Sequence, residues 1–128
     1  MMEIKVAKNC GCCYGVKRAV ELAQKAAGEH VNGATLGPLI HNPQLIAELA
    51  AQGIACKDSL EQFAPGETVI FRSHGVGPEV YEQAEEKGLT IMDATCPNVH
   101  LAQKKAADHN NKSYYNHVTS NSPYRMYY

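Results

Sequence analysis

The sequence lacks an excess of charge of either sign, and it lacks any long hydrophobic run. Its 128 residues carry 12 Lys and Arg against 13 Asp and Glu, for a formal net charge of -1. Nothing in this composition indicates a nucleic-acid partner or a membrane surface, so an anionic ligand must be held by local geometry. No segment approaches the roughly 20 apolar residues of a membrane span, and the N-terminal "MMEIKVAKN" lacks the apolar core of a signal peptide. These absences predict a cytoplasmic protein with no membrane partner.

The cysteines cannot all be paired within the chain, because there are 5 of them. Three, Cys10, Cys12 and Cys13, lie in the stretch "KNCGCCYGVKRAV". Thiols are kept reduced in the cytosol, where closely spaced cysteines more often bind metals or carry out redox chemistry than form a disulfide framework. The cysteines therefore indicate metal or redox chemistry.

Between Glu3 and about Ala107, short apolar runs alternate with amphipathic stretches. The runs "EIKVAK", "ATLG", "IAC", "TVIFR" and "LTIMDA" are predicted to be strands. Helices are predicted between them and after the last. Strands that alternate with helices at this spacing pair in parallel through right-handed crossovers, so the predicted fold class is a parallel-sheet α/β sandwich.

Helix boundary signals are most complete in "HNPQLIAELAAQG". Asn42 can cap the helix, Pro43 takes its first position and Gly53 stops it. The helix "PEVYEQAEEKG" likewise has Pro at its start and Gly at its end. "SLEQF" carries a capping-box pattern at Ser59 and Gln62.

The composition changes after Asp108. The tail "HNNKSYYNHVTSNSPYRMYY" holds 5 of the 7 tyrosines and no acidic residue, and its apolar residues have no period. A natural linker would be richer in Gly, Pro, Glu or Lys. We therefore divide the chain into an α/β lobe at 1–107 and an irregular tail at 108–128. Out-of-frame coding is our hypothesis for the tail, and a genuine disordered tail is the alternative.

Four reactive residues fall at the junctions between predicted strands and helices: Cys13, His41, His74 and Cys96. In a parallel sheet the carboxyl ends of the strands open onto one edge, where ligands bind and helix N-termini point. We therefore expect these four side chains to line one cleft. Gly and Pro flank both histidines, in "GPLIHNP" and "RSHGVGP", which predicts rigid turns that suit an anionic group such as a phosphate.

Each residue also has a plainer interpretation. A lone cysteine is most often a small buried hydrophobic residue, and this applies to Cys56 in particular. A lone histidine in a loop is usually solvated, so no role is assigned to His30, His109 or His117, and little to His100.

Three chemistries remain open for the cysteine cluster. Cys10 and Cys13 form a C-x-x-C pair, which is the spacing of a thiol–disulfide oxidoreductase and of half a zinc site. The zinc interpretation is less well supported, because no second pair of this kind follows in the sequence. The third possibility is an iron–sulfur cluster whose cysteines come from separate junctions, Cys13 and Cys96 among them.

The motifs "GCCYGVKRAVELA", "GPLIHNPQLIAELAAQGI" and "TVIFRSHGVGPEVYEQAEEKGLTIMDATCP" resemble, in unbroken order, the N-terminal part of the 4-hydroxy-3-methylbut-2-enyl diphosphate reductase family. The resemblance covers about Ile4 to Ala107. It implies that Cys13 and Cys96 ligate a 4Fe-4S cluster, and that His41 and His74 contact the diphosphate or hydroxyl end of the substrate. Cys12 stands where the family usually has an aromatic residue, and Cys10 has no counterpart.

The resemblance further implies a reaction of the non-mevalonate isoprenoid pathway. Three cysteines hold the cluster, and its open fourth iron binds the hydroxyl oxygen of an allylic diphosphate. Two electrons from ferredoxin or flavodoxin, with protonation, remove that oxygen as water and give isopentenyl and dimethylallyl diphosphate.

Family members are more than twice as long as this chain and form three lobes. Their third cluster cysteine, a further histidine, the proton-relaying glutamate and a Ser-x-Asn motif have no match here, so this chain contains no catalytic residue of the family. "EIKVA" corresponds to a strand of the third lobe's sheet, which leaves it unpaired or pairing with the remaining lobe. We expect a truncated reductase, inactive alone, with a complete core only from about Tyr14 to Cys96. A small thiol redox or metal-binding protein using Cys10 and Cys13 is the alternative, and an inactive folded remnant is a third.

Overall fold

A computed structural model describes residues 2–8 and 11–108 of the chain, including the side chains as far as residue 106. The described part contains four helices and four strands, and it confirms the predicted α/β class. In chain order these are α1 (Tyr14–Gly28), β1 (Gly33–Leu36), α2 (Pro43–Ala51), β2 (Ala55–Lys57), β3 (Thr68–Phe71), α3 (Pro78–Glu86), β4 (Thr90–Asp93) and α4 (Pro97–Asp108), with a 3-10 turn at Leu60–Gln62 between β2 and β3.

The four strands form one sheet in the order β2-β1-β3-β4, and every neighbouring pair is parallel. Because β1 and β3 lie at the centre, their buried residues face cores on both sides of the sheet. Ile70 packs with α1 and α2 on one side, whereas Val69 and Phe71 pack with α3 and the 3-10 turn on the other. Because every neighbouring pair of strands is parallel, the carboxyl ends of all four strands lie at the same edge of the sheet, as the alternation of strands and helices predicts.

Helix α1 meets the sheet through alanines. Ala19, Ala23 and Ala26 are fully buried in the cluster that also contains Ile70 of β3. Their spacing of four and three residues is that of one helix face. The first turns of α1 contact the loop after β4, where Arg18 Nη1 donates to Thr95 O and Gly15 lies against Cys96.

The predicted boundary of α2 is confirmed. Asn42 accepts hydrogen bonds at Oδ1 from the backbone N–H groups of Gln44 (3.0 Å) and Leu45 (3.3 Å). Pro43 is the first helical residue, and Gly53, with φ of 96°, follows the helix. An asparagine cap of this kind typically stabilises a helix by about 1 kcal/mol.

The capping-box prediction is only half right. Ser59 Oγ accepts from the N–H of Glu61 (3.1 Å), but Gln62 Oε1 accepts from the N–H of Asp58, one residue before the cap (2.9 Å). The turn ends at Gln62 because "PG" at 65–66 redirects the chain into β3.

The predicted first strand, "EIKVAK", is wrong. Residues 2–8 form no strand, and Ile4 and Val6 are 81% and 77% exposed. An alternating apolar pattern becomes a strand only when another strand supplies its hydrogen bonds, and the described residues offer this segment no such neighbour. Cys13 therefore follows a loop and not a strand.

Two predicted features lie outside the described residues, namely Cys10 and the tail from residue 109. Among the residues that are described, no helix is both long enough and apolar enough to cross a bilayer.

Candidate functional site

Three loops meet at the carboxyl edge of the sheet, after β1, β3 and β4. The carbonyl of Leu39, after β1, accepts from both the N–H and the Oγ of Ser73, after β3, each at 3.3 Å. The carbonyl of Ser73 in turn accepts from the N–H of Cys96, after β4, at 2.8 Å. These bonds join the loops that carry His41, His74 and Cys96 into one surface.

His41 and His74 face each other across this edge. Their rings are stacked almost in parallel, with centroids 5.8 Å apart and an interplanar angle of 8°. His41 is exposed, and His74 is partly buried. The structure thus brings together two of the four predicted site residues as a stacked pair.

His74 is held in its neutral form. Burial, together with the positive charges of Arg72 and His41 nearby, lowers the pKa of His74 from 6.5 to about 4. At neutral pH its imidazole therefore carries one N–H donor and one acceptor nitrogen, and not a positive charge. Such a group binds an anion by hydrogen bonding, and it does not repel a second cationic group nearby.

Cys13 and Cys96 both stand at helix N-termini. Cys13 is the N-cap of α1, and Cys96 directly precedes α4, where its carbonyl accepts from the N–H groups of Val99 (2.9 Å) and His100 (3.1 Å). Cys13 is exposed, and Cys96 is partly exposed. A helix N-terminus has unsatisfied backbone N–H groups, which favour a negatively charged ligand beside it.

Gly15 links these two cysteines. A Cβ placed on Gly15 would collide with Cys96 Sγ, and it would lie 2.7 Å from Cys96 Cβ. The absent side chain therefore leaves the space that the Cys96 thiol occupies against the first turn of α1, two residues after Cys13. No role was predicted for Gly15, because Gly15 and Cys96 are far apart in the sequence and no local motif relates them.

This arrangement fits two of the thiolates that an iron–sulfur cluster requires. Both cysteines are accessible, both belong to helix N-termini, and Gly15 holds one against the helix that begins after the other. Within the described residues, however, no group of three or more Cys, His, Asp or Glu side chains could hold a metal ion. A cluster with three protein ligands would need at least one ligand from outside that part of the chain.

The other cysteines take no part in this arrangement, as far as the structure describes them. Cys12 is exposed. Cys56 is exposed on β2, which is an edge strand, so its predicted burial is wrong. A strand at the edge of the sheet leaves one face of such a short segment open to solvent.

Asp93, at the end of β4, is a site residue that the sequence analysis missed. Its Oδ1 accepts from the N–H of Thr95 (2.9 Å), and its Oδ2 accepts from Tyr81 Oη (2.5 Å) and lies 3.1 Å from His100 Nε2. Local sequence signals the first contact, because an Asp two residues before an N–H donor is typical of an Asx turn. The contacts with Tyr81 and His100 come from other helices.

The environment of Asp93 keeps it ionised. Burial alone would raise the pKa of this carboxyl, but the Thr95 side chain and backbone, the Tyr81 hydroxyl and the nearby His100 outweigh burial and lower the pKa. His100, for which the sequence indicated little role, is thus paired with a carboxylate.

Comparison with known proteins shows the family of the chain. The profile of the family described as "LytB protein" matches residues 4–122, and so extends into the tail. The 4-hydroxy-3-methylbut-2-enyl diphosphate reductases of Citrifermentans bemidjiense and Aquifex aeolicus are 42% and 41% identical to the chain, over 88% and 90% of its length.

Solved structures give the same result. A structure of (E)-4-hydroxy-3-methyl-but-2-enyl diphosphate reductase, the terminal enzyme of the non-mevalonate pathway, superposes with a TM-score of 0.70 at 41% identity, over 86% of this chain. The corresponding reductase from Plasmodium falciparum gives a TM-score of 0.69 at 30% identity, over 77% of it. The chain spans about 40% of the length of the two bacterial relatives and of the first of these structures. The chain belongs to the LytB family.

Proposed function

We propose that this chain is the first lobe of a 4-hydroxy-3-methylbut-2-enyl diphosphate reductase. In that role it supplies two cluster thiolates, Cys13 and Cys96, and two substrate-binding imidazoles, His41 and His74. The observation that carries the proposal is the joined surface at the carboxyl edge. Hydrogen bonds among Leu39, Ser73 and Cys96 connect the loops that carry three of these residues, and Gly15, on the helix that Cys13 caps, lies against Cys96.

The two histidines hold the anionic end of the allylic diphosphate. Stacked rings 5.8 Å apart can each donate one hydrogen bond to a different oxygen of the same group. Neutral His74 donates one hydrogen bond without a charge of its own, and the positive charge of Arg72 nearby adds attraction at longer range.

The two cysteines hold the 4Fe-4S cluster on the side of α1 and α4. When bound, this cluster supplies an open iron that polarises the substrate's hydroxyl group and passes electrons to the substrate. Cys96 N–H is committed to Ser73 O, so the thiol side chain projects from a backbone whose position is already set. Cys13, as an exposed N-cap, completes the set from this lobe.

The rest of the reductase supplies the third thiolate and the proton donor. We therefore propose that this chain alone has little or no activity, and that the complete enzyme works in the cytoplasm with ferredoxin or flavodoxin as its electron donor. Two thiolates hold a cubane cluster weakly, because each iron outside their reach exchanges its ligands with solvent.

A chimera tests the proposal. Residues 1–107 of this chain would replace the equivalent part of the Aquifex aeolicus reductase, and the purified product would be assayed anaerobically for turnover of the allylic diphosphate. We expect activity with the unchanged lobe. We expect its loss with Cys13→Ser or Cys96→Ser, whereas the controls Cys12→Ser and Cys56→Ser keep it.

The chain alone provides the complementary measurement. Anaerobic reconstitution followed by iron counting should give less than one full cluster per chain and no turnover. A stoichiometric cluster with turnover in the isolated chain would refute the claim of inactivity, and a folded, cluster-bearing chimera that stays active without Cys13 would refute the proposed ligand.

The thiol redox alternative is not favoured by the match of nearly the whole chain to reductases. It predicts a reversible intrachain disulfide between Cys10 and Cys13. Iodoacetamide labelling against pH would detect the lowered thiol pKa that this chemistry needs, with Cys96 unaffected.

A further inference from the structure

The turn between β4 and α4 carries Cys96, and Asp93 closes it. Asp93 Oδ1 accepts from the N–H of Thr95, the residue directly before Cys96, at 2.9 Å. This bond folds residues 93–95 into a compact turn. The direction in which Cys96 leaves the turn therefore depends on the Asp93 carboxylate.

The same carboxylate is held from two helices. Tyr81 Oη, on α3, donates to Oδ2 at 2.5 Å, and His100 Nε2, on α4, lies 3.1 Å from the same oxygen. The Tyr81 ring is itself fixed, because it packs edge-on against Phe71 of β3 with centroids 4.8 Å apart. A short bond from an immobilised ring leaves the carboxylate little freedom to rotate.

Two further hydrogen bonds hold the backbone of this turn. Arg18 Nη1, on α1, donates to the carbonyl of Thr95 at 3.2 Å, and the N–H of Cys96 donates to Ser73 O at 2.8 Å. With Gly15 against the thiol, the backbone around Cys96 is held from α1, α3, α4 and the loop after β3. Asp93 takes part in contacts from both α3 and α4.

We propose that Asp93 is the positioning residue for Cys96, with Tyr81 and His100 as its supports. The triad holds the Cys96 thiol at the place beside Gly15 where it faces the first turn of α1. That Cys96 serves as a cluster ligand rests on the proposed function, but the positioning itself does not, so the two are tested separately.

The isolated chain allows the direct test, through the alkylation rate of each cysteine with iodoacetamide. Lys87 and Lys104 flank Cys96, so trypsin releases its peptide separately from those of the other cysteines. Cys10, Cys12 and Cys13 share the peptide between Lys8 and Lys17, so fragment-ion spectra are needed to assign the label on each of them. In Asp93→Ala we expect Cys96 to react about tenfold faster, because the turn loses a charge-assisted hydrogen bond. The rates of Cys13 and Cys56 should not change.

Asp93→Asn is the conservative variant. The amide oxygen still accepts from the N–H of Thr95, and the amide NH2 can donate to Tyr81 Oη, which then accepts instead of donating. The Cys96 rate should therefore stay within about twofold of the parent although the charge is lost. Tyr81→Phe keeps the ring on Phe71 and removes only the hydroxyl bond, and it should accelerate Cys96 by about threefold.

Glu67→Ala is the matched control. Glu67 also accepts from a backbone N–H, that of Ala64 (2.9 Å), and from a cationic side chain, Lys57 (2.8 Å), but it precedes β3 at the other end of the sheet. Its loss should lower stability without altering the relative rate of Cys96. Rates measured in low concentrations of urea separate the two effects, because local opening of the turn does not depend on denaturant, whereas global unfolding does.

The proposal is overturned if folded Asp93→Ala labels Cys96 at the parent rate, or if Glu67→Ala accelerates Cys96 equally. Should Asp93→Ala fail to fold, the double variant Tyr81→Phe/His100→Gln decides, and an unchanged Cys96 rate in it overturns the proposal. None of these outcomes depends on the cluster. Failure of the chimera to turn over substrate would reject the proposed function while leaving the positioning of Cys96 intact.

Discussion

The two ends of the sheet use glycine in different ways. Gly53, Gly66 and Gly88 precede β2, β3 and β4 at the amino end, each with positive φ, and a Cβ added to any of them would meet no atom within 4 Å. At the carboxyl end, a Cβ on Gly37 would lie 3.2 Å from Arg72 Nη1, and one on Gly75 would lie 3.2 Å from Thr95 and Gln103. Gly15 is the most crowded of this second group.

This difference concerns the space beside each glycine, since Gly37 and Gly75 at the carboxyl end also have positive φ. At the three turns of the amino end, glycine relieves backbone strain and the space beside it is open. Gly33, the first residue of β1, is an exception at this end, because a Cβ there would lie 2.5 Å from Thr68 O. At the carboxyl end, the missing side chain is replaced by a side chain from another loop, including that of a proposed ligand. Dense packing at this end is what holds the reactive residues in place.

Gly15→Ala should have the largest effect, because the new methyl group would occupy the place of Cys96 Sγ. Either the thiol or α1 must move, and we expect a loss of about 2–3 kcal/mol in the free energy of unfolding. Urea denaturation measures it. Gly28→Ala, at the last residue of the same helix with nothing within 4 Å, is the control and should be neutral or slightly stabilising. Equal losses in both variants would contradict the close contact.

Acidification should have the second-largest effect, because it lowers the free energy of unfolding through His74 at the carboxyl end of the sheet. His74 has a pKa of about 4 in the folded chain, below its ordinary value of 6.5, so the unfolded chain binds a proton first. Stability is therefore full above pH 6.5 and falls as the pH drops through this window. Because His74 is only half-buried, the loss by pH 4 should be about 1–2 kcal/mol after solvent screening. Urea midpoints from pH 7.5 to 4 in the parent and in His74→Asn would measure it, and identical pH slopes would contradict the assignment.

Gly88→Ala should have the smallest effect of the three. Its φ of 74° strains an L-residue, which costs about 1 kcal/mol, but no neighbouring atom has to move. Thermal denaturation should register this loss. The alkylation rate of Cys96 should stay at the parent value, and an accelerated rate would show that the two ends of the sheet are coupled.

The sequence predicted the elements whose signals are local. Asn42, Pro43 and Gly53 marked α2 correctly because capping, fixed φ and positive φ act within a few residues. The strand prediction failed at residues 2–8, since pairing depends on a partner elsewhere in the chain. The alternating apolar pattern is present, but no strand among the described residues lies beside this segment to pair with it.

The same limit applies to the candidate site, where contacts between separate helices and strands were not predicted. His41, His74 and Cys96 were expected to lie near one another because each follows a parallel strand. In the structure the two histidine rings stack, and a hydrogen bond from Cys96 to Ser73 joins the loops of Cys96 and His74. The expectation did not include Gly15 against Cys96, or Tyr81 and His100 on Asp93, because these contacts join different elements. Side-chain reach between packed helices is decided by the fold, and no spacing in one segment encodes it.

The most direct test of the account is the iron content and EPR spectrum of the chimera that joins residues 1–107 to the remainder of the Aquifex aeolicus reductase. The account predicts a 4Fe-4S signal in the parent chimera and in Cys12→Ser, and its loss in both Cys13→Ser and Cys96→Ser. A full cluster signal in either of the last two variants, with the protein folded, would contradict the claim that this edge of the sheet holds the cluster.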